Sequence, residues 1–339
     1  MKYSDFVENL ADDLQEAFRV RERKIEVEIM EVSKPWGKEL GISFSEGGIA
    51  HPILYPQKQY EYHEAGMNYF LMLNQMIDEI ESAFSNVPEK FEFDPCTLKD
   101  TITIQLVNTE RCRQYLLDKA HREVEDLSII YRLNADFGGG NNGSSVITTK
   151  MMEMMGMNEK ELYELAMEKA PLNRLCTIKS MVETIEELME ETHEIPEVPV
   201  MVVTNEDRYL GASAIMYPGI LERCTEVMNG DFYILPSSQH EVLIYSDNSS
   251  LRLDELEAIV QEVNEKELDP RDFLSDNVYH YDHKEKIFEL SEKYVDRMRY
   301  KEKYSVIDSL NGKKNDVMKK SSLRRNQDIG SRKVQGLSL

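Results

Sequence analysis

Asp231-Phe-Tyr-Ile-Leu-Pro-Ser-Ser-Gln-His-Glu-Val-Leu-Ile-Tyr245 sets two apolar runs, Phe232 to Leu235 and Glu241 to Tyr245, on either side of a polar turn. Short runs rich in aromatic and β-branched residues, bounded by Pro and Ser, favour strands, and the spacing predicts an antiparallel pair. Upstream, Val200 to Thr204 reads as a buried strand after Pro196 and Pro199, and Ala212 to Met228 as a helix ended by Asn229-Gly230. Downstream, Leu253, Leu256, Ile259, Val260 and Val263 recur at helical spacing. Asp269-Pro270 has the form of a helix start, and Val278 to Tyr281 with Ile287 to Leu290 predicts a closing hairpin.

The N-terminal part repeats the mixture. Phe6, Leu10, Leu14 and Phe18 lie on one helical stripe. The period then changes to two, with Ile25, Val27 and Ile29 alternating with glutamates, and Leu40, Ile42 and Phe44 alternating after the turn at Pro35-Trp36-Gly37. Ile49 to Tyr55 is a third run after a turn at Gly47-Gly48, and Phe70, Leu73, Ile77, Ile80 and Phe84 return to helical spacing. Beyond Pro88 and Pro95, Ile102 to Leu106 and Leu127 to Leu133 read as strands with a short helix at Arg111 to Lys119 between them. Phe137 to Ser145 is Gly/Asn-rich and predicts a mobile loop. Helices follow over Thr149 to Met157, over Asn158 to Ala170 with Asn158 and Glu161 as a capping box, and over Ile178 to Glu191. The fold class is α+β: an N-terminal helix–three-strand–helix unit, a larger mixed α/β body and a basic tail. The expected divisions are 1–95, 96–195, 196–290 and 291–339, the last a helical extension with a disordered basic end.

Charge narrows the partners. Acidic residues outnumber basic ones 63 to 40, for a formal charge of −23 over 339 residues. Such a surface repels phosphate backbones and anionic lipid. Residues 311–339 differ, with eight Lys or Arg against two Asp, so nucleic acid is expected only through that tail, if at all. No apolar run approaches the roughly 20 residues of a membrane span, and no secretory or transit pattern opens the chain, so a cytoplasmic protein is expected. Cys96, Cys112, Cys176 and Cys224 are far apart and form no C-x-x-C pair, which suits reduced thiols.

No complete catalytic motif is written. The Gly-rich stretch lacks the G-K-[ST] of a phosphate loop. Ser237, Ser238, His240 and Glu241 share one turn and could form a hydrolytic group, although neither serine sits in a G-x-S-x-G elbow. His121 and Asp126, in an acidic cluster ahead of the Leu127 strand, are further candidates for a ligand or partner site. His280 and Asp282 would share a strand face with metal-ligand spacing, and His283 would need a turn to join them. No cofactor and no metal is assigned from these patterns. The methionine run Met151 to Met157 suits either a core or an adaptable surface.

Several stretches together resemble a domain-of-unknown-function family of anaerobic gut bacteria. They are Lys34-Pro-Trp-Gly-Lys-Glu-Leu, Ile49-Ala-His-Pro-Ile-Leu-Tyr, Tyr60 to Gly66, Leu106-Val-Asn, Glu125-Asp-Leu-Ser-Ile-Ile-Tyr-Arg-Leu, Gly211-Ala-Ser-Ala-Ile-Met-Tyr-Pro-Gly and the Asp231 stretch. The resemblance covers about residues 1–290, departs from the family's pattern at Pro35-Trp36 and in the Gly/Asn loop, and implies no activity. The expected function is a non-enzymatic module binding a protein or small ligand through loops near 136–157 and 236–241. Its rivals are a hydrolase built on the Ser237/Ser238/His240/Glu241 turn or on a metal near His280/Asp282, and an acidic mimic of nucleic acid or accessory of a mobile element.

Overall fold

Phe6, Leu10, Leu14 and Phe18 are fully buried on α1 (Tyr3–Val20). Each contributes about 1.5–3 kcal/mol by leaving water. In this computed structural model, which describes residues 1–46, 53–86, 94–136, 142–188 and 199–304, that stripe packs between a sheet and a helix. The sheet is β1 (Glu26–Lys34), β2 (Gly37–Ser45) and β3 (Ile53–Leu54), antiparallel in that order. After α2 (Gln57–Glu64), the helix α3 (Tyr69–Asn86) closes the other side of α1 with Met72, Met76, Ile77 and Ile80. Of the expected stripe, Ile77 and Ile80 are buried and Leu73 and Phe84 pack against the same core, whereas Phe70 is exposed. The expected Gly47-Gly48 turn and the start of the third strand lie outside the described residues.

The β1–β2 hairpin is longer than the core beneath it. Its register runs from Glu26↔Ser45 to Lys34↔Gly37, closed by the two residues Pro35-Trp36. Ile42 and Phe44 reach the α1 core at one end. The far end projects over the next sheet, where Cys112 Sγ meets the Pro35 carbonyl at 3.2 Å.

That second sheet centres on β6 (Leu127–Asp136). β4 (Thr103–Asn108) lies on one edge; β5 (His121–Val124) and β7 (Asn142–Val146) take the two halves of the other. His121 to Val124, part of the acidic cluster ahead of the Leu127 strand, is thus itself a strand, hairpinned to β6 through Glu125 at φ +58° and Asp126. Of the expected loop, Asn142 to Ser145 instead pair with β6 as part of β7, and residues 137–141 lie outside the described residues. Between β4 and β5, α4 (Arg113–Leu116) is a single turn. Alternation sends Ile104, Leu106, Ile129, Tyr131 and Leu133 to the main core, leaving Gln105 and Arg132 on the opposite face.

The helices α5 (Thr149–Met154) and α6 (Glu159–Asn173) follow, and α6 starts with the expected Asn158/Glu161 capping box. Met155 is buried and Met151, Met152 and Met157 pack on the core, while Met154 is exposed. The chain then enters a six-stranded antiparallel sheet, ordered β13-β12-β10-β11-β9-β8. Its strands are β8 (Cys176–Ser180), β9 (Val200–Asn205), β10 (Phe232–Pro236), β11 (Val242–Ser246), β12 (Tyr279–Asp282) and β13 (Ile287–Leu290). Ile178 to Ser180 is therefore strand; the acidic helix α7 (Met181–Leu188) starts only after it, with Glu183 capping the Ser180 amide. The expected β10–β11 pair is formed from Phe232↔Ser246 to Pro236↔Val242, and β12–β13 is the closing hairpin.

Val203, Phe232, Ile234, Val242, Ile244, Tyr279 and Tyr281 face the β4–β6 sheet across one continuous core, with α6 and the 212–220 segment inside it. The expected helix over 212–228 is interrupted. A 3-10 turn at Gly211–Met216 and α8 (Ile220–Met228) flank Pro218 and Gly219, the glycine at φ +80°. The sheet's other face carries Tyr233, Leu235 and Tyr245 against α9 (Leu253–Lys266). No helix follows Asp269-Pro270; Asp269 Oδ1 instead accepts the Arg271 N–H at 2.9 Å and stabilises a turn. A last helix, α10, spans 291–304, and the basic tail lies outside the described residues. Among the described residues no helix is long and apolar enough to cross a membrane.

Candidate functional site

Three parts of the fold meet around a cavity of about 460 Å³. The hairpin tip supplies Lys34, Pro35 and Trp36, with Tyr55 beside them. The polar face of the second sheet supplies Gln105 and Arg132, flanked by Tyr115, Lys119 and Ser144. The β10–β11 turn and its neighbours supply Gln239, His240, Tyr209 and Asp272. The volume is within the range of about 300–1,000 Å³ typical of small-molecule sites.

One hydrogen-bonded chain crosses the floor. Arg132 donates through Nη2 to Ser144 Oγ at 2.6 Å and through Nη1 to Gln105 Oε1 at 2.9 Å. Gln105 Nε2 donates to Gln239 Oε1 at 2.6 Å, and the Gln239 amide ends on the Arg271 carbonyl. Arg132 has no carboxylate partner among the described residues, and burial holds its guanidinium below the ordinary arginine pKa. A cation set into protein without a counter-charge carries an unbalanced desolvation cost, which an anion in the cavity would offset. Lys34 is similarly without an ion pair among the described residues, its Nζ 3.9 Å from the Tyr55 ring centre, a cation–π contact worth about 0.5–1 kcal/mol. Lys119 leans on Tyr115 and pairs with Asp118 at 2.6 Å. Three cationic side chains thus line the cavity against one carboxylate, Asp272, in a chain whose net charge is −23.

Asp272 is itself engaged. His240 Nε2 lies 3.1 Å from Asp272 Oδ1, and His240 Nδ1 lies 3.1 Å from the Leu210 backbone nitrogen. A backbone N–H can only donate, so Nδ1 is the acceptor and the ring proton sits on Nε2, directed at the carboxylate. Leu210 reaches this position at φ +55°. Next to it, a Cβ on Gly211 would stand 2.1 Å from Thr204 Oγ1 and 2.6 Å from the His240 carbonyl, so only glycine lets the loop approach the turn this closely. Thr204 Oγ1 donates to that carbonyl at 2.7 Å. The imidazole is a fixed wall, with both nitrogens occupied.

The residues singled out in the sequence are scattered by the fold. His240 lines the cavity; Ser237, Ser238 and Glu241 do not. The Ser238 hydroxyl accepts the His240 backbone N–H at 3.0 Å, an ordinary turn bond. His121 sits on β5 with Nδ1 2.9 Å from the Lys119 carbonyl oxygen. Asp126, at the β5–β6 turn, accepts from Ser275 Oγ at 2.7 Å, Asn277 Nδ2 at 2.9 Å and the Tyr279 hydroxyl at 2.5 Å, tying that hairpin to the six-stranded sheet. His280 and Asp282 share a face, as alternation requires, but α10 covers it. Tyr294 stacks on His280, while Arg297 and the Lys284 and Glu285 amides bond Asp282.

Arg132, Gln105, Gln239 and Lys34 were not singled out. On strands and turns they read as ordinary solvated positions; the available signal was Pro35-Trp36, a turn too apolar for open water. No curated protein and no solved structure matches the chain. The profile of a family of unknown function, DUF5688, matches residues 3–283, a span that takes in all three walls of the cavity, and the chain belongs to that family.

Proposed function

We propose that the chain is a binding protein for a small organic anion with a planar portion, held in the cavity between the hairpin tip, the second sheet and the β10–β11 turn. The observation that carries this reading is Arg132, a guanidinium set into the cavity floor with neutral partners only. Lys34 and Lys119 add positive charge at the walls, and Trp36, Tyr55, Tyr115 and Tyr209 make part of the lining aromatic, which suits a ligand with a planar group. Binding rather than turnover is favoured because the imidazole has no free nitrogen and the two serines lie off the cavity.

The test is a thermal-shift and calorimetric panel of nucleoside monophosphates, aryl phosphates and aromatic carboxylates beside their uncharged counterparts. A true ligand at 100 times its Kd stabilises the fold by about 2.7 kcal/mol. Anionic members should stabilise the wild type and lose most of the effect in Arg132→Gln. Equal responses from uncharged counterparts, or an unchanged response in the variant, would overturn the reading.

A further inference from the structure

The ends of three adjacent strands gather a second polar cluster, on β10, β11 and β12. Phe232 is opposite both Ser246 and Tyr281, so the residue before it, Asp231, lies opposite Asp247, just beyond β11, and Asp282, the last residue of β12. The Asp247 N–H donates to the Asp231 carbonyl at 3.1 Å, and His283 contacts the Asp231 carboxylate through its amide at 2.8 Å and through Nδ1 at 2.5 Å. His280, opposite Tyr233, comes to the same place from β12. Asp231, Asp247 and His280 thereby offer three donor atoms within 4.8 Å of one another.

His280 is the informative member. Its side chain is 0% exposed, yet neither ring nitrogen makes a hydrogen bond, and Nε2 stands 3.4 Å from Asp247 Oδ2. Nε2 thus has a carboxylate within ion-pair distance but no aligned hydrogen bond, and Nδ1 has none, a state that costs a buried imidazole free energy and that native structures rarely leave. Its ring is fixed by Tyr294, stacked at 3.5 Å, and by the edge of Tyr233 at 5.1 Å. Two donors each about 2.0–2.1 Å from one ion at a tetrahedral angle stand roughly 3.4 Å apart. The Nε2 to Oδ2 separation therefore fits two ligands of a shared ion.

We propose that Asp231, Asp247 and His280 bind a divalent transition-metal ion of the zinc class, with His283 as the neighbouring fourth group. Imidazole with carboxylates and no thiolate suits zinc, cobalt or manganese, whereas magnesium and calcium prefer oxygen alone. His283 either completes the ligand set or orients Asp231 through its hydrogen bond, as outer partners of metal ligands do. Asp231 and His283 retain 24% and 34% side-chain exposure, which leaves the ion a path from solvent. The ion would clamp β10, β11 and β12 at one end of the sheet. This site stands apart from the anion cavity, and neither reading depends on the other.

The full chain, stripped with a chelator, is titrated with Zn2+ and Co2+ by calorimetry and by Co2+ visible absorption. One ion per chain is expected, with a cobalt band typical of nitrogen and oxygen donors and a raised Tm. His280→Gln and Asp247→Asn should each weaken binding by more than about tenfold, while His121→Gln and Arg132→Gln leave it unchanged. Absence of stoichiometric binding in the wild type, or unchanged affinity in His280→Gln and Asp247→Asn, overturns the proposal. Should His280→Gln fail to fold, the partly exposed Asp231→Asn decides in its place, with retained affinity counting against the site.

Discussion

Gln105 Nε2 and Gln239 Oε1, 134 residues apart in sequence, form a buried hydrogen bond of 2.6 Å that joins the two sheets under the cavity. Each glutamine is bonded on its other side, Gln105 to Arg132 and Gln239 to the Arg271 carbonyl. Replacing either with leucine strands the other's buried polar atoms, at a cost of about 1–3 kcal/mol each. Because the two act as one unit, Gln105→Leu with Gln239→Leu should cost clearly less than the sum of the singles. Urea midpoints of the four proteins measure the coupling, and strict additivity would show that the bond is not cooperative.

Arg132 should matter differently for stability and for binding. Without ligand, Arg132→Gln removes a cation that lacks a counter-charge, so the loss of stability should stay within about 1 kcal/mol. With an anionic ligand, affinity should fall by about tenfold or more, since hydrogen bonds to charged groups are worth about 1.5–3 kcal/mol. Arg132→Lys keeps the charge but not the planar fork and should rescue only part of the affinity. Calorimetry on the three proteins separates these outcomes.

Asp126 carries a structural burden instead. Its carboxylate accepts three side-chain donors from the 275–279 segment, among them the hydroxyl of Tyr279, whose side chain is 1% exposed. Asp126→Ala should destabilise by about 3 kcal/mol because it orphans buried donors, and Tyr279→Phe by less because the remaining two bonds persist. A denaturation series that found the two variants equal would place the cost elsewhere.

Alkali should unfold the chain through its thiols and phenols. Burial pushes Cys112 and Cys176 up to about 11, and Cys224, Tyr115 and Tyr217 up to about 12. In the unfolded chain the thiols ionise near 9.0 and the phenols near 10.0, so above these values the unfolded state has shed protons that the folded state retains. Stability is therefore full below pH 9 and falls as pH rises through 11 to 12. Urea midpoints against pH should show the decline, and Cys224→Ala should make it shallower. In the folded protein at pH 8, exposed Cys96 should react with a thiol reagent well before buried Cys112 and Cys224.

The elements that were legible in the sequence are those whose period matches a one-sided environment. α1 shows its stripe, β1 and β2 alternate, and Phe232 to Tyr245 is a pair of apolar runs around a turn. β8 was hidden because all five of its residues are half-buried and the acidic helix behind it dominates the pattern. β7 was hidden because Asn-Gly-Ser-Ser is a poor strand sequence, ordered here by its ladder to β6. Of the cavity, His240 stood out as an imidazole in a turn between apolar strands. Arg132 and Gln105 did not, since a polar residue on alternate strand positions normally faces water. The hairpin tip, the α4 segment with Cys112, Tyr115 and Leu116, and the β10–β11 turn, packed over that face, make it an interior.

The position of β8 has a topological consequence. Residues 176–180 precede α7, whereas their ladder partner β9 follows residue 198, so the six-stranded sheet is completed by chain from both sides of that interval. A single backbone cut between 188 and 199 would leave two fragments still zipped along five paired residues and sharing one core. The fragment from 199 onward would hold five of the six strands and lack only the edge strand β8, whereas a division before residue 176 would leave all six on one fragment.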